Sequence, residues 1–237
     1  MTRTLILDIE TIGENWEDLD KMSQESLSAW IRNESKNEEE LENNMKNLRE
    51  GLGFSPLTGE IVAIGIHDFE RAKSAVYYQT GDKEEKKSEI EDVLYEPVDE
   101  AKMLNKFWEI AQSYDVFVTF NGYQFDMPYI LIRSAVHGVR PTANLMTNRY
   151  VTMQRGGKVH LDLQDQLSFY GAMRRKGSLH MWTRVFGIQT PKSEEINGHA
   201  VADMYKEGRY LDIAKYNAAD IKATSELYSR WLQFLKF

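Results

Sequence analysis

The sequence predicts an α/β fold built on a mixed sheet, and three features carry that expectation. Strand-like runs come early and close together, so hairpin-linked strands open the architecture. Helical and strand-like segments then alternate, which calls for crossover connections and parallel pairing. An apolar content of 42% supplies a full core for 237 residues, enough for one large domain carrying an insertion.

Thr4–Ile9 (TLILDI) is a short apolar run that suits a buried central strand. Residues 14–50 read as helical, polar and acidic, and Gly51–Gly59 reads as a loop punctuated by Gly and Pro. The stretch 14–59 therefore interrupts the first hairpin as a helical insertion after the first strand. Glu60–His67 and Ser74–Gln79 are the second and third strands, joined through 68–73. A charged loop at 81–96 leads to Pro97, a suitable first-turn residue for a helix reaching about Tyr114. Asp115–Phe120 is a fourth strand, Met127–His137 a helix stopped by Gly138, and Val159–Leu163 a short fifth strand. Helices follow, the last over roughly 211–235. No internal repeat or low-complexity segment occurs.

The complete lack of cysteine excludes disulfides, thiolate metal sites and a cysteine nucleophile. No apolar run approaches the ~18 residues of a membrane span, and Met1–Thr4 leads straight into a strand without a signal peptide. A soluble, cytoplasmic protein with no membrane partner is expected. The net charge of −8 is unevenly placed: residues 14–50 hold 11 acidic and 5 basic side chains, whereas 133–184 hold 9 Arg/Lys against Asp162 and Asp165 alone. Such a basic stretch is either a solvated face or a local phosphate-tracking surface.

Four carboxylates in three separate segments carry the chemistry. Asp8 and Glu10, two apart at the end of a strand, leave the same face and can converge on one hard cation. Asp126 ends the turn Asn121-Gly-Tyr-Gln-Phe125-Asp126, which follows a strand and opens a helix, where ligands gather in open α/β sheets. It also suits an N-cap, with Pro128 just inside. Tyr216 and Asp220 are four apart in the last helix and share a face. Singly, each has a bland structural alternative. Together they are what a two-cation phosphoryl-transfer site requires, and no His/Cys cluster, Gly-rich phosphate loop or Gly-x-Ser-x-Gly elbow competes.

Asp8-Ile-Glu10-Thr11, Asn121-x-x-x-Phe125-Asp126 and Tyr216-x-x-x-Asp220 resemble the three exonuclease motifs of the DEDDy family, which includes the proofreading domains of family B DNA polymerases and their stand-alone relatives. The likeness spans the chain in order. It extends to Ser55-Pro56-x-x-Gly59-Glu60-Ile61, to His160-Leu-Asp162-Leu163, and to Ser178-Leu179…Phe186-Gly187-Ile188 ahead of Pro191-Lys192. The resemblance implies a ribonuclease-H-like fold, a mixed five-stranded sheet flanked by helices, and a 3′→5′ exonuclease acting on single-stranded nucleic-acid 3′ ends, DNA favoured. It implies two divalent cations, Mg²⁺ or Mn²⁺. Asp8 would bridge both, Glu10 and Asp220 would complete the site of the ion that binds the attacking water, and Asp126 would act on the second ion. The Tyr216 hydroxyl would orient the nucleophile, while Thr11, Ile12, Asn121 and Phe125 would contact the terminal nucleotide. A related bacterial subgroup places His where this chain has Tyr216, so the Tyr branch is favoured. With the chain stopping at Phe237, proofreading in cis is not expected.

Two other readings share these residues. A structure-directed endonuclease or ribonuclease would use the same fold and metals, and would ignore a blocked 3′ end. A non-catalytic single-strand-binding module would use the basic 133–184 stretch with Tyr150, Phe169 and Trp182 as stacking platforms, although these aromatics also suit a core.

Overall fold

A computed structural model describes residues 2–188 and 200–236. Its centre is β1 (Thr4–Gly13), a strand whose alternation assigns two jobs to its two faces. Leu5, Leu7 and Ile9 join one core with the helices α3 (Glu100–Ala111) and α4 (Asp126–Val136). Ile6 points the other way, into a core shared with the long helix α8 (Tyr210–Phe234). Asp8 and Glu10 follow Ile6 in phase, so both carboxylates leave β1 on the α8 side.

The other strands are β2 (Gly59–Asp68), β3 (Lys73–Tyr78), β4 (Ser88–Ile90), β5 (Val93–Pro97), β6 (Val116–Thr119) and β7 (Val159–Asp162). They form one mixed sheet in the order β4-β5-β3-β2-β1-β6-β7. β1 pairs antiparallel with β2 and parallel with β6, and β6 pairs parallel with β7. The register between β1 and β2 shifts at Glu10/Thr11, which turns the end of β1 just past the acidic pair.

The α/β architecture with helices flanking a mixed sheet is as expected, but the sheet has seven strands rather than five. The extra hairpin β4–β5 lies where charge density suggested a loop, and β5 adds parallel to β3. Its two-residue turn, Glu91-Asp92, has both residues at positive φ (50° and 62°). That is the geometry of a primed hairpin turn, which usually announces itself by Asn-Gly or Asp-Gly, and Glu-Asp carries no such signal. Pro97 correspondingly ends β5 instead of opening a helix, and α3 begins later under an Asp99 cap that accepts from Lys102 N at 2.8 Å.

Between β1 and β2 lie α1 (Lys21–Glu34) and α2 (Glu38–Glu50). Asp20 and Asn37 cap them, so the helices expected in this acidic stretch are present with proper starts. The remaining helices are α5 (Leu163–Leu167), α6 (Leu179–Val185) and α7 (Ala200–Lys206). Among the described residues no helix is long and apolar enough to cross a membrane.

Candidate active site

Asp8, Glu10 and Asp220 bring one carboxylate oxygen each to within 4.8 Å of one another. Two come from β1 and the third from α8, which packs over that face. The donors are all oxygen. A hard cation with ligands at about 2.0–2.1 Å holds opposite oxygens about 4 Å apart, so small side-chain rotations would close this set on Mg²⁺ or Mn²⁺. Glu10 and Asp220 are 7% and 9% exposed, so like charges are gathered where water screens them poorly.

A residue outside the expected set fastens Asp8. Asn217, fully buried, donates from Nδ2 to Asp8 Oδ2 at 2.9 Å. The approach depends on Gly65, which sits across from Asp8 on β2; a Cβ there would lie 1.9 Å from Asn217 Oδ1. That Oδ1 has no hydrogen-bond partner among the described residues. An orphaned buried amide oxygen costs about 1–3 kcal/mol, so the bond to a carboxylate must offset it. Its signal in the sequence is spacing: Asn217 lies four residues from both Ile213 and Ile221, in phase with the buried face of the last helix.

Tyr216, half-buried, lies one turn before Asp220. Its phenol is raised well above its ordinary value, first by burial, then by the charges of Asp220, Glu10 and Asp8, and by its hydrogen bond to Asp220. It is therefore a hydroxyl donor beside the carboxylate cluster, not an anion.

Asp126 departs from the expected geometry. Phe125 occupies the N-cap position without a side-chain cap, and Asp126 is the first residue of α4. Its Oδ1 instead accepts from Ile9 N at 3.1 Å. The reason lies in the sheet: parallel pairing of β1 with β6 ends at Ile6↔Val118, so the next inward N–H of β1 needs another acceptor. Asp126 therefore abuts the backbone between Asp8 and Glu10 but stands outside the three-carboxylate cluster. At 2% exposure, burial pushes its carboxyl up to about 7; its own backbone N–H opposes this, the Asp162 charge adds to it, and the Ile9 N–H opposes it.

The turn leading to Asp126 is held from β7. Asn121 takes positive φ (66°), and the Asp162 carboxylate accepts from Asn121 N (2.9 Å), Tyr123 N (3.0 Å) and Gln164 N (2.9 Å). Burial raises Asp162, and these N–H groups pull the other way. Beneath it, His160 Nδ1 faces the Leu145 carbonyl at 3.0 Å, so Nδ1 carries the proton and Nε2 accepts from the Thr119 hydroxyl at 2.8 Å. Burial lowers His160 to about 4, so the ring is neutral at pH 7, with Tyr123 stacked on it at 4.4 Å. The segment His160–Leu163 thereby shapes this turn.

The positions expected to contact nucleotide have the following surroundings within the chain. The Thr11 hydroxyl donates to Gly53 O at 2.7 Å, fastening β1 to the loop before β2. Ile12 is half-buried in the core under α8. Phe125 is half-buried, with its ring 5.4 Å from Tyr129 and 6.5 Å from Phe54. Of the lesser matched segments, Ser55 O accepts from Tyr129 Oη at 3.2 Å, while Pro191 and Lys192 lie outside the described residues.

Comparison with known proteins places the chain in a family. Residues 66–236 match a family described as a predicted 3′-5′ exonuclease related to the exonuclease domain of PolB. A DNA polymerase of Pyrococcus glycovorans is 26% identical over 182 residues, covering 71% of this chain and 22% of the polymerase. A DNA polymerase of Desulfurococcus sp. (strain Tok) is 31% identical over 146 residues, covering 54% of this chain and 18% of the polymerase. The solved family B DNA polymerase of Pyrobaculum calidifontis shares the fold over 99% of this chain and 25% of its own, with a TM-score of 0.61 at 18% identity. The chain thus spans about a quarter or less of these relatives. The family match runs from β2 through α8 and includes the turn at Asp126 and the helix bearing Tyr216 and Asp220, so the chain belongs to the family of 3′-5′ exonucleases related to the exonuclease domain of PolB.

Proposed function

We propose that the chain hydrolyses phosphodiester bonds at the 3′ ends of single-stranded nucleic acid, DNA favoured, with two divalent cations, Mg²⁺ or Mn²⁺. The observation that carries this reading is the convergence of Asp8 and Glu10 from β1 with Asp220 from α8 in one all-oxygen cluster. Asp8, Glu10 and Asp220 would hold the cations, with Asp126 contributing from beside the backbone of Ile9. Bound divalent ions supply a water of lowered pKa and neutralise the charge that develops on the phosphate.

The remaining work falls to the chain. Tyr216, protonated and donating to Asp220, would orient the attacking water through its hydroxyl oxygen, which accepts from it. Asn217 fixes the rotamer of Asp8, so that its carboxylate is aimed before the ions arrive. The Asp162 carboxylate holds the Asn121–Asp126 turn in register with β1. DNA is favoured because the relatives are DNA polymerases.

The test is digestion of single-stranded DNA and RNA labelled at either end, with Mg²⁺ or Mn²⁺ and in chelator. The expected result is stepwise shortening from the 3′ end, stalled by a blocked 3′ terminus and absent in chelator. Undiminished turnover after exhaustive chelation, or cleavage that ignores the 3′ block, would remove the reading.

A further inference from the structure

Residues 127–188 contain two carboxylates, Asp162 and Asp165, and both are buried. Asp162 is consumed by three backbone N–H groups. Asp165 is taken up by the Arg149 guanidinium, which forks onto both its oxygens, with Lys176 Nζ at 4.0 Å. Lys158 is also accounted for, since its ammonium caps the carbonyls of Ala111, Gln112 and Tyr114 at the end of α3. Among the described residues, what this stretch shows to solvent is therefore cationic without counter-charge. Arg155, Arg174 and Arg175 are exposed, and none forms an ion pair among the described residues.

Exposed aromatic surface lies among these cations. Phe169 and Tyr150 are 55% and 48% exposed. Phe169 and Tyr170 both take left-handed backbone (φ 50° and 54°), a conformation that bulky residues rarely adopt. The result is a division of labour. Tyr170 turns in, its hydroxyl accepting from Gln166 at 2.7 Å and Val151 N at 3.3 Å and its ring 4.7 Å from Tyr150, while Phe169 turns out. Trp182, by contrast, packs against the core under α8 and is no part of this surface.

The surface is joined to the candidate active site. Tyr123, inside the Asn121–Asp126 turn, donates from its hydroxyl to Asn148 O and accepts from Gln154 Nε2 at 3.0 Å. Gln164, whose backbone N–H bonds Asp162, reaches Gly177 O with Nε2 at 3.3 Å and closes the loop carrying Phe169, Arg174 and Arg175. The loop carrying Phe169, Arg174 and Arg175 thus follows the carboxyl end of β7, beside the turn that presents Asp126, and the loop carrying Tyr150 and Arg155, which leads into β7, is tied to that turn through Tyr123.

We propose that the exposed surface formed by Tyr150, Arg155, Phe169, Arg174 and Arg175 is a track for single-stranded nucleic acid leading to the carboxylate cluster. Cations without counter-charge bind phosphates, and outward aromatic faces stack on unpaired bases whatever their identity. A duplex offers the phosphates but hides the base faces, so the aromatic component selects the single strand. In a protein of net charge −8 this local surface is also what lets a polyanion approach at all. The inference rests on the exonuclease reading for the strand's destination but not for its binding.

The experiment is fluorescence anisotropy with a 5′-labelled oligothymidylate of about 16 nucleotides, titrated in chelator over a range of salt. Arg174→Ala/Arg175→Ala is expected to weaken binding about tenfold or more and to make the slope of log K against log salt shallower by about 1.4, roughly 0.7 for each phosphate that is no longer neutralised. Phe169→Ala is expected to weaken binding about tenfold without changing that slope. The control Lys21→Ala/Lys36→Ala removes the same charge from α1 and the loop after it, and is expected to bind like the wild type. All three sets alter exposed side chains, and unchanged melting curves confirm folding. Wild-type affinity and slope in the arginine variant overturn the proposal, as does an equal loss in the control or tighter binding of a matched duplex. Hydrolysis of a nitrophenyl ester of thymidine 5′-phosphate by the wild type with Mn²⁺ tests the carboxylate site separately, so failure there removes the hydrolase reading and leaves the binding result to decide the track.

Discussion

At the scale of single residues, the site divides into groups that would touch the reaction and groups that aim them. Tyr216→Phe removes one hydroxyl and leaves every carboxylate in place. It should lower kcat at or below the lower end of the ~10²–10⁴-fold range of acid–base and orienting groups, with metal affinity little changed. Asp220→Asn should do far more damage, because it removes a ligand. Equal kcat in Tyr216→Phe and wild type would make Tyr216 ordinary packing. Asn217→Ala tests aiming. It removes the donor to Asp8, and losing a hydrogen bond to a charged group should cost about 1.5–3 kcal/mol, partly offset because the orphaned Oδ1 also goes. Activity should then need more Mn²⁺ to saturate. An unchanged Mn²⁺ requirement in a folded Asn217→Ala protein would show that Asp8 needs no such support.

At the scale of elements, the strand-to-helix turn after β6 depends on β7 more than on its own sequence. Gly122 is required there, since a Cβ would lie 2.2 Å from Thr119 Oγ1, and Thr119 is itself engaged by His160. His160 makes this support pH-dependent. Its folded-state pKa of about 4 lies below the ordinary 6.5, so the unfolded chain binds the extra proton first. Stability is therefore complete above about pH 6.5 and falls as pH drops towards 4, by up to about 3 kcal/mol. Urea unfolding of wild type and His160→Gln at pH 7 and pH 4.5 checks this, and the variant should lose less stability between the two. Identical pH slopes would mean that the ring is not held neutral by the fold.

At the scale of the whole molecule, the carboxylate cluster is assembled from opposite ends of the chain, with Asp8 and Asp220 meeting across the packing of α8 on β1. A cation that binds this cluster binds only the folded state, so it should stabilise the whole chain. At about one hundred times its dissociation constant it would add about 2.7 kcal/mol, or roughly 5–10 °C in Tm for a chain of this size. Thermal melting in chelator and in excess Mn²⁺ measures this, and Asp220→Asn should lose most of the shift. A wild-type Tm indifferent to both Mg²⁺ and Mn²⁺ would argue against a cation site.

The α/β class, the phase of β1 that puts Asp8 and Glu10 on one face, and the one-turn spacing of Tyr216 and Asp220 are legible in the residues alone, because periodicities of two and 3.6 residues are local properties of the backbone. The helix starts at Asp20 and Asn37 lie in the stretch read as helical for the same reason: caps act within a few residues. The rest depends on contacts between distant segments. Only the sheet shows that Glu91-Asp92 turns a hairpin, since β5 is stabilised by its partner β3 and not by its own turn residues. Only the end of the β1–β6 pairing makes Asp126 an acceptor for Ile9 N. Asn217 acquires its place from Gly65, a residue far away in the chain, because a missing Cβ on β2 is what lets an amide on α8 reach Asp8. Each of these depends on which backbone groups are left without partners when distant segments meet, and that quantity does not exist until the chain has folded.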